Sequence, residues 1–310
     1  MMRLTGRDLL PGNDGRNVPV VRVKHYLRWV VALCLVVLFA WLVKVFVTSP
    51  NIFWSEVWWY LFEYDIWHGI GITLALTVIA TIVGLVIGVV LAVMKLSSNP
   101  VASGLSTLYI WFFRGTPVLV QLIFWYNLAF LFPRIGWGPF SWKTNDVMTG
   151  FTAALLGLGL NLAAYSAEVF RAGIQSVDVG QTEAAMSIGM RRLQTLRVIV
   201  LPQALRVVIP PIGNEGISML KNTSLVYVVA GADLMTQASQ IYKINNEVIE
   251  LLIVASIWYM VMTALATIGQ SMLEARFGTG PRVGFGRKLV ANLRIGRRGR
   301  PALEQGVDGG

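Results

Sequence analysis

The chain has 310 residues, of which 55% are hydrophobic and only 14% are charged, and its formal net charge is +10. Soluble domains carry charge on about a quarter of their residues, so this composition indicates an integral membrane protein and excludes an ordinary soluble enzyme. In a soluble chain the basic excess would favour a nucleic-acid partner. Here the lysines and arginines flank apolar runs, so membrane topology explains them and no nucleic-acid partner is expected.

The first 48 residues contain a basic tail and an apolar run. Residues 1–28 are rich in arginine, proline and glycine, which predicts a disordered cytoplasmic tail. Residues 29–48 supply the roughly 20 apolar positions that a membrane-spanning helix needs. A cleaved signal peptide is the alternative, but the long preceding tail and Lys44 within the run favour an uncleaved transmembrane anchor.

Residues 49–67 are dense in tryptophan, tyrosine and phenylalanine, with acidic residues between them. Aromatic side chains collect at the membrane–water boundary, so this segment is predicted to be amphipathic and to lie on the outer face. A box of aromatic residues that binds a ligand is the less favoured alternative.

The remaining apolar runs predict an all-α membrane protein with about six transmembrane helices. The five spans after the first helix are expected at 69–94, 105–132, 148–170, 207–234 and 248–277, within a transmembrane domain at 68–277. The segments 133–147 and 235–247 are expected to be loops, and 278–310 a basic disordered tail. Most lysines and arginines fall on one side of this topology, which predicts that both termini lie in the cytoplasm.

The longest polar connection between two spans, residues 176–203, is predicted to be a folded elbow. Asp178 can cap a short helix, with Gln181 completing a capping box, and Gly189 can end that helix in the left-handed conformation. A second short helix is expected to begin near Arg191 and to be limited by Pro202, before Pro210-Pro211 interrupts the chain again. A folded elbow of this kind indicates contact with a partner protein.

Four sequence motifs resemble one known family. The Glu-Ala-Ala run with Gly189, Leu201 and Pro202 resembles the coupling loop of ABC importer permeases. The stretches FFRGTPVLVQL, AYSAEVFRAGIQSVDVGQTEAA and LKNTSLV resemble the polar amino acid branch of that family, the histidine, glutamine and arginine type. The resemblance covers approximately residues 66–277. It implies a five-helix type I permease core, here with an extra N-terminal helix, that imports polar amino acids across the bacterial plasma membrane.

The resemblance also implies partners and a coupling site. The residues expected to engage the cytoplasmic ATPase are Glu183, Ala184, Ala185, Gly189, Leu201 and Pro202. The expected partners are two ABC ATPase subunits, a second copy or a sister permease, an extracytoplasmic amino-acid-binding protein and the lipid bilayer. No G-x4-G-K-[ST] phosphate loop occurs in the sequence, so ATP and magnesium belong to the partner ATPase and this chain is expected to bind no cofactor. The alternative is that the elbow is an ordinary amphipathic loop helix.

Polar residues inside the spans are candidates for a substrate pathway, because a charge at the bilayer centre costs roughly 2.5–3.5 kcal/mol on insertion scales. The candidates are Arg114, Asn214, Glu215, Ser218, Lys221 and Asn222. A cavity wall and buried pairing or snorkelling remain alternatives for Glu215 and Lys221. Glu168 is expected to pair with Arg171 in a structural role.

No catalytic constellation or metal site is predicted, since His25 and His68 are far apart and no carboxylate or cysteine cluster joins them. A transporter driven by an ion gradient is the rival function, although such proteins more often show two related halves. The sequence leaves open which amino acid is transported, whether the permease pairs with itself or with a sister chain, and what the extra helix does.

Overall fold

The computed structural model describes residues 9–11, 17–19 and 26–277, which divide into two compact units, 1–54 and 55–310. The predicted tail at 278–310, and most of the tail at 1–28, lie outside the described residues. Within the first tail, strands β1 (Leu9–Pro11) and β2 (Asn17–Pro19) pair antiparallel, where the sequence predicted disorder.

The first unit is built on helix α1 (Tyr26–Val47), whose 22 residues are long and apolar enough to cross a membrane. It begins before the predicted Trp29, and none of its residues is buried. After the helix the chain turns back, because the Trp54 indole donates to the Val47 carbonyl at 2.9 Å and its ring packs edge-on against Phe46.

The second unit is almost entirely helical. Its elements in chain order are α2 (Trp54–Tyr60), α3 (Tyr64–Lys95), α4 (Pro100–Gly115), α5 (Val118–Tyr126), a 3-10 turn (Leu128–Phe130), β3 (Arg134–Trp137), β4 (Phe140–Lys143), α6 (Thr144–Val147), α7 (Gly150–Gln175), α8 (Val179–Ser187), α9 (Arg192–Thr195), a π-helical turn (Leu196–Val200), α10 (Leu201–Asn222), a 3-10 helix (Thr223–Val229), α11 (Leu234–Asn245) and α12 (Val248–Phe277). Among the described helices five can span a membrane, or six if the bent pair α4–α5 counts as one span, which confirms the predicted number.

Helices α3 and α7 form the centre of this unit, and they approach closely through small residues. Ser166 of α7 donates to the carbonyl of Gly84 at 3.2 Å, and a Cβ added at Gly88 would lie 2.1 Å from the Ser166 hydroxyl oxygen. Around this seam, buried leucines of α3, α5 and α7 make one core cluster, which includes Leu76, Leu122 and Leu158. The contact between α3 and α7 therefore depends on small residues as well as on apolar burial.

Replacing Gly88 by alanine is expected to destabilise this seam by about 1–3 kcal/mol, the usual cost of overpacking. The added methyl group meets Ser166 and, at 3.1 Å, the Ala163 carbonyl, so α3 and α7 must move apart. The thermal unfolding temperature of the detergent-purified protein measures the loss. Gly71→Ala in the same helix is the control, since nothing lies within 4 Å of its added Cβ. Equal unfolding temperatures for the two variants would contradict the expectation.

Two connections differ from the sequence expectation. The loop at 133–147 contains a β3–β4 hairpin, in which Gly138 has a positive φ of 56°. The expected loop at 235–247 is largely helix α11, capped by the Asp233 carboxylate, which accepts from the Met235 amide at 3.1 Å. It was expected to be a loop because it is polar, yet Leu234 and Ala238 bury one face of it in the core shared with α12.

The elbow's second helix does not end at Pro202, contrary to prediction. Residues Arg192–Val229 form one continuous helical stretch of 38 residues, and Pro210 and Pro211 lie inside it. Pro202 falls in the first turn of α10, directly after the π-helical turn Leu196–Val200. A widened turn accommodates a residue that has no amide hydrogen, so proline does not interrupt the helix at this point.

Candidate functional site: a cavity at a broken helix and an exposed elbow

The third span is broken at Arg114-Gly115-Thr116-Pro117, where α4 and α5 meet at 100°. Thr116 adopts an extended backbone, with φ −109° and ψ 139°, which is the conformation that a following proline imposes. A break of this kind frees backbone carbonyls that must find donors within the protein. The interruption predicted from the sequence is thus a sharp bend between two short helices.

Two amide side chains supply those donors. The Gln121 amide nitrogen donates to the carbonyls of Phe113 and Thr116 at 3.0 and 3.1 Å, and to the Thr116 hydroxyl at 2.7 Å. Asn161 of α7 donates to the same Phe113 carbonyl at 2.9 Å. Gln121 is buried, so these bonds hold the bend and with it the position of Arg114. The sequence analysis selected neither Gln121 nor Asn161. The signal in the sequence was a single amide side chain within each of two apolar runs.

A cavity of about 510 Å³ opens at the bend. Its polar lining comes from Arg114, Asn161, Tyr165, Glu215 and Asn222. The Arg114 guanidinium carbon lies 5.0 Å from the centre of the Tyr165 ring, close enough for a cation–π interaction. The cavity therefore combines a cation, a carboxylate and neutral hydrogen-bonding groups. No ion pair within 4.0 Å joins Arg114 to Glu215.

The structure brings together three of the six predicted pathway residues. Arg114, Glu215 and Asn222 line the cavity, whereas Asn214, Ser218 and Lys221 do not. Asn214 instead accepts a hydrogen bond from Gln270 of α12 at 3.2 Å, and Lys221 is exposed.

The helical geometry of α10 explains why only some of these residues line the cavity. Glu215 and Asn222 are seven residues apart and share a face, as do Asn214, Ser218 and Lys221, but the two faces are rotated by about 100°.

The first helix of the elbow, α8, forms as the sequence predicted, although its cap is a single bond and not the expected capping box with Gln181. The Asp178 carboxylate accepts the Gly180 amide at 2.7 Å at the start of α8. At its end Gly189 has φ +86°, and the amides of Gly189 and Met190 donate to the carbonyls of Met186 and Ala185. This bonding pattern is a Schellman motif, which closes the helix tightly.

The predicted coupling residues differ in exposure. Glu183, Ala184 and Gly189 are exposed on the elbow, whereas Ala185 is buried, so only one of the two alanines faces outward. Leu201 and Pro202 are exposed at the start of α10. A bundle of membrane spans with a polar cavity at a broken helix, and with a folded elbow on one connection, defines a transport subunit of the membrane-spanning class.

Comparison with known proteins identifies the family. The sequence profile of the binding-protein-dependent transport system inner membrane component matches residues 84–279. The arginine transport system permease protein ArgU of Corynebacterium glutamicum is 42% identical over 260 residues, 83% of this chain and 82% of that protein. The glutamate/aspartate import permease protein GltK of Escherichia coli is 35% identical over 210 residues, 67% of this chain and 91% of that protein. The chain belongs to this family of ABC importer permeases.

A solved structure supports the same assignment at the level of the fold. It is the crystal structure of an amino acid ABC transporter with histidines, and one of its chains superposes with a TM-score of 0.60. The sequence identity is 37%, and the match covers 68% of this chain and 94% of that chain. The predicted type I permease fold is therefore confirmed, with α1 as the extra N-terminal helix. The relatives are permease subunits and not enzymes, so ATP hydrolysis belongs to partner subunits. Permeases of this family work with ATPase subunits, a substrate-binding protein and a permease partner.

Proposed function

We propose that this chain is the permease of an importer for polar amino acids, driven by ATP hydrolysis on two cytoplasmic ATPase subunits. The observation that carries the proposal is the cavity at the helix break, which holds an arginine and a carboxylate that are not paired with each other. The relatives named for arginine and for glutamate and aspartate support an amino acid as the cargo. Their named cargoes have different side-chain charges but share the same α-amino and α-carboxylate groups.

The two charged groups fit that shared part of the cargo. Arg114 presents a planar guanidinium that suits a carboxylate, and Glu215 presents an acceptor that suits an ammonium group. Asn161 and Asn222 add neutral donors and acceptors around them. A zwitterion entering the cavity would pair with both charges. The proposed pathway therefore recognises the amino acid backbone and leaves the choice of side chain to the extracytoplasmic binding protein.

The elbow is the proposed contact with the ATPase. Its exposed face, which includes Glu183 and Ala184, projects from a helix closed tightly at Gly189. The placement of basic residues supports a cytoplasmic elbow and cytoplasmic termini in a bacterial plasma membrane. The described residues contain one elbow, which supplies one coupling surface. A second copy or a sister permease supplies the other, so that each permease engages one ATPase subunit.

Reconstitution tests this function. The chain is co-expressed with its ATPase and purified as a complex, then placed in vesicles with ATP inside and a substrate-loaded binding protein outside. Uptake of a radiolabelled polar amino acid is expected only with ATP and the binding protein together. Uptake that needs neither component, and that collapses when an ionophore removes the ion gradient, would instead establish the rival transporter.

A further inference from the structure

A charged cluster joins the inner ends of α3 and α7. The Lys95 ammonium, at the last residue of α3, donates to one oxygen of the Glu168 carboxylate on α7. Arg171 binds the other carboxylate oxygen through two nitrogens at 2.8 Å, and donates to the Gln175 side chain at 2.5 Å. The side chains of Lys95 and Glu168 are only 23% and 18% exposed, so solvent screens this pair less than a surface pair. The sequence predicted the Arg171 contact but not the Lys95 contact.

The cluster lies at the root of the elbow. Gln175 is the last residue of α7, and Asp178, which caps α8, follows three positions later. On the other side of the cluster, α4 is tied to the end of α3 because Ser103 and Ser106 donate to the carbonyls of Lys95 and Leu91 at 3.2 and 2.7 Å. Helix α4 in turn ends at the bend that carries Arg114. These polar contacts, together with helix α4 itself, therefore connect the root of the elbow with the cavity.

We infer that Glu168 is a positioning residue that ties α3, through Lys95, to the root of the elbow, so that a displacement of the elbow moves α3 and α4 together with α7. This inference rests on the proposed role of the elbow in coupling. The two contacts of Glu168 do different things. The Arg171 contact lies within one helix and restrains nothing between helices. The Lys95 contact crosses between helices, so it adds to the close packing of α3 on α7 at the end nearest the elbow and transmits displacement there.

This difference gives the test a matched pair of variants. Lys95→Met removes the contact between helices, while Arg171 still neutralises Glu168, so no charge is left unpaired in a partly buried place. Arg171→Met removes the contact within α7 and leaves Lys95 in place. Lys95→Arg keeps the positive charge between the helices and is the conservative variant.

The measurement is the number of amino acids imported per ATP hydrolysed by the reconstituted complex. Lys95→Met is expected to lower this ratio about fivefold or more, the lower end of typical coupling effects. Arg171→Met is expected to change it less than about twofold, as for ordinary pairs within a helix. Lys95→Arg is expected to keep the ratio close to that of the wild type. The yield of ATPase that co-purifies, and the unfolding temperature, confirm that each complex has assembled. Should Lys95→Met fail to assemble, Lys95→Gln provides the same measurement.

The outcomes separate this inference from the proposed function. An unchanged ratio for Lys95→Met, beside a lowered ratio for an elbow variant such as Gly189→Val, overturns the role of Glu168 alone. Equal losses for Lys95→Met and Arg171→Met also overturn it, because the cluster would then only maintain α7. Unchanged ratios for all variants, Gly189→Val included, overturn coupling through the elbow and the inference with it.

Discussion

Replacing Gly189 by valine is expected to abolish most amino acid uptake while the complex still hydrolyses ATP. Gly189 has φ +86°, a conformation that a β-branched residue cannot adopt without strain. The strain is of order 1–3 kcal/mol, and roughly 1.4 kcal/mol is a tenfold change in an equilibrium, so the population of the correctly closed elbow relative to open forms falls about tenfold. Nothing lies within 4 Å of the Cβ position, so crowding does not contribute and the effect comes from the backbone. Uptake and ATPase activity are measured on the same vesicles.

Asparagine at the same position is the control for Gly189→Val. It tolerates the left-handed conformation, so Gly189→Asn is expected to retain most of the uptake. Glu183→Lys gives an independent variant on the exposed face of α8, since it reverses a charge without changing the Schellman closure. Uptake equal to wild type in both Gly189→Val and Glu183→Lys would show that the elbow does not carry coupling.

Replacing Arg114 by methionine is expected to reduce uptake about tenfold or more, since a hydrogen bond to a charged group commonly contributes about 1.5–3 kcal/mol. The cargo's carboxylate would lose its cation, and Glu215 would remain alone in the cavity. ATP hydrolysis without cargo should persist, because Arg114 lies on α4 and not on the elbow. The initial rate of uptake against external concentration of the loaded binding protein measures the change.

Two further variants sharpen the test of the cavity. Arg114→Lys keeps the charge but loses the planar fork, so an intermediate rate is expected. Arg206→Met removes an exposed arginine of α10 that does not line the cavity, and is expected to transport normally. Equal rates for Arg114→Met and Arg206→Met would mean that the cavity does not lie on the path of the amino acid.

Local signals predicted the local features of this molecule. The aspartate cap and the glycine closure of α8 each depend on residues within one turn, so Asp178 and Gly189 could be placed from the sequence. The break in the third span was also predictable, because Pro117 restricts the backbone of the residue before it. The size of the bend was not, since it is held by Gln121 and by Asn161, which comes from a different helix.

Tertiary context decided the features that the sequence analysis missed. Pro202 is compatible with either a helix end or a first turn, and the π-helical turn before it selected the second. The polar residues of α10 were all candidates for one substrate pathway, yet Glu215 and Asn214 are adjacent residues that face different neighbours. Only the packing of α7 and α12 against α10 determines which face meets the cavity. The contact of Lys95 with Glu168 likewise joins residues 73 positions apart.

The stretch Arg192–Val229 is long enough to serve as a lever. At about 1.5 Å per residue, its 38 residues reach about 57 Å. A pivot of only 5° about one end would sweep the other end through about 5 Å, close to the pitch of one helical turn. If the stretch turns as one body, a small rotation at the end beside the elbow would therefore displace its far end by about the pitch of one helical turn.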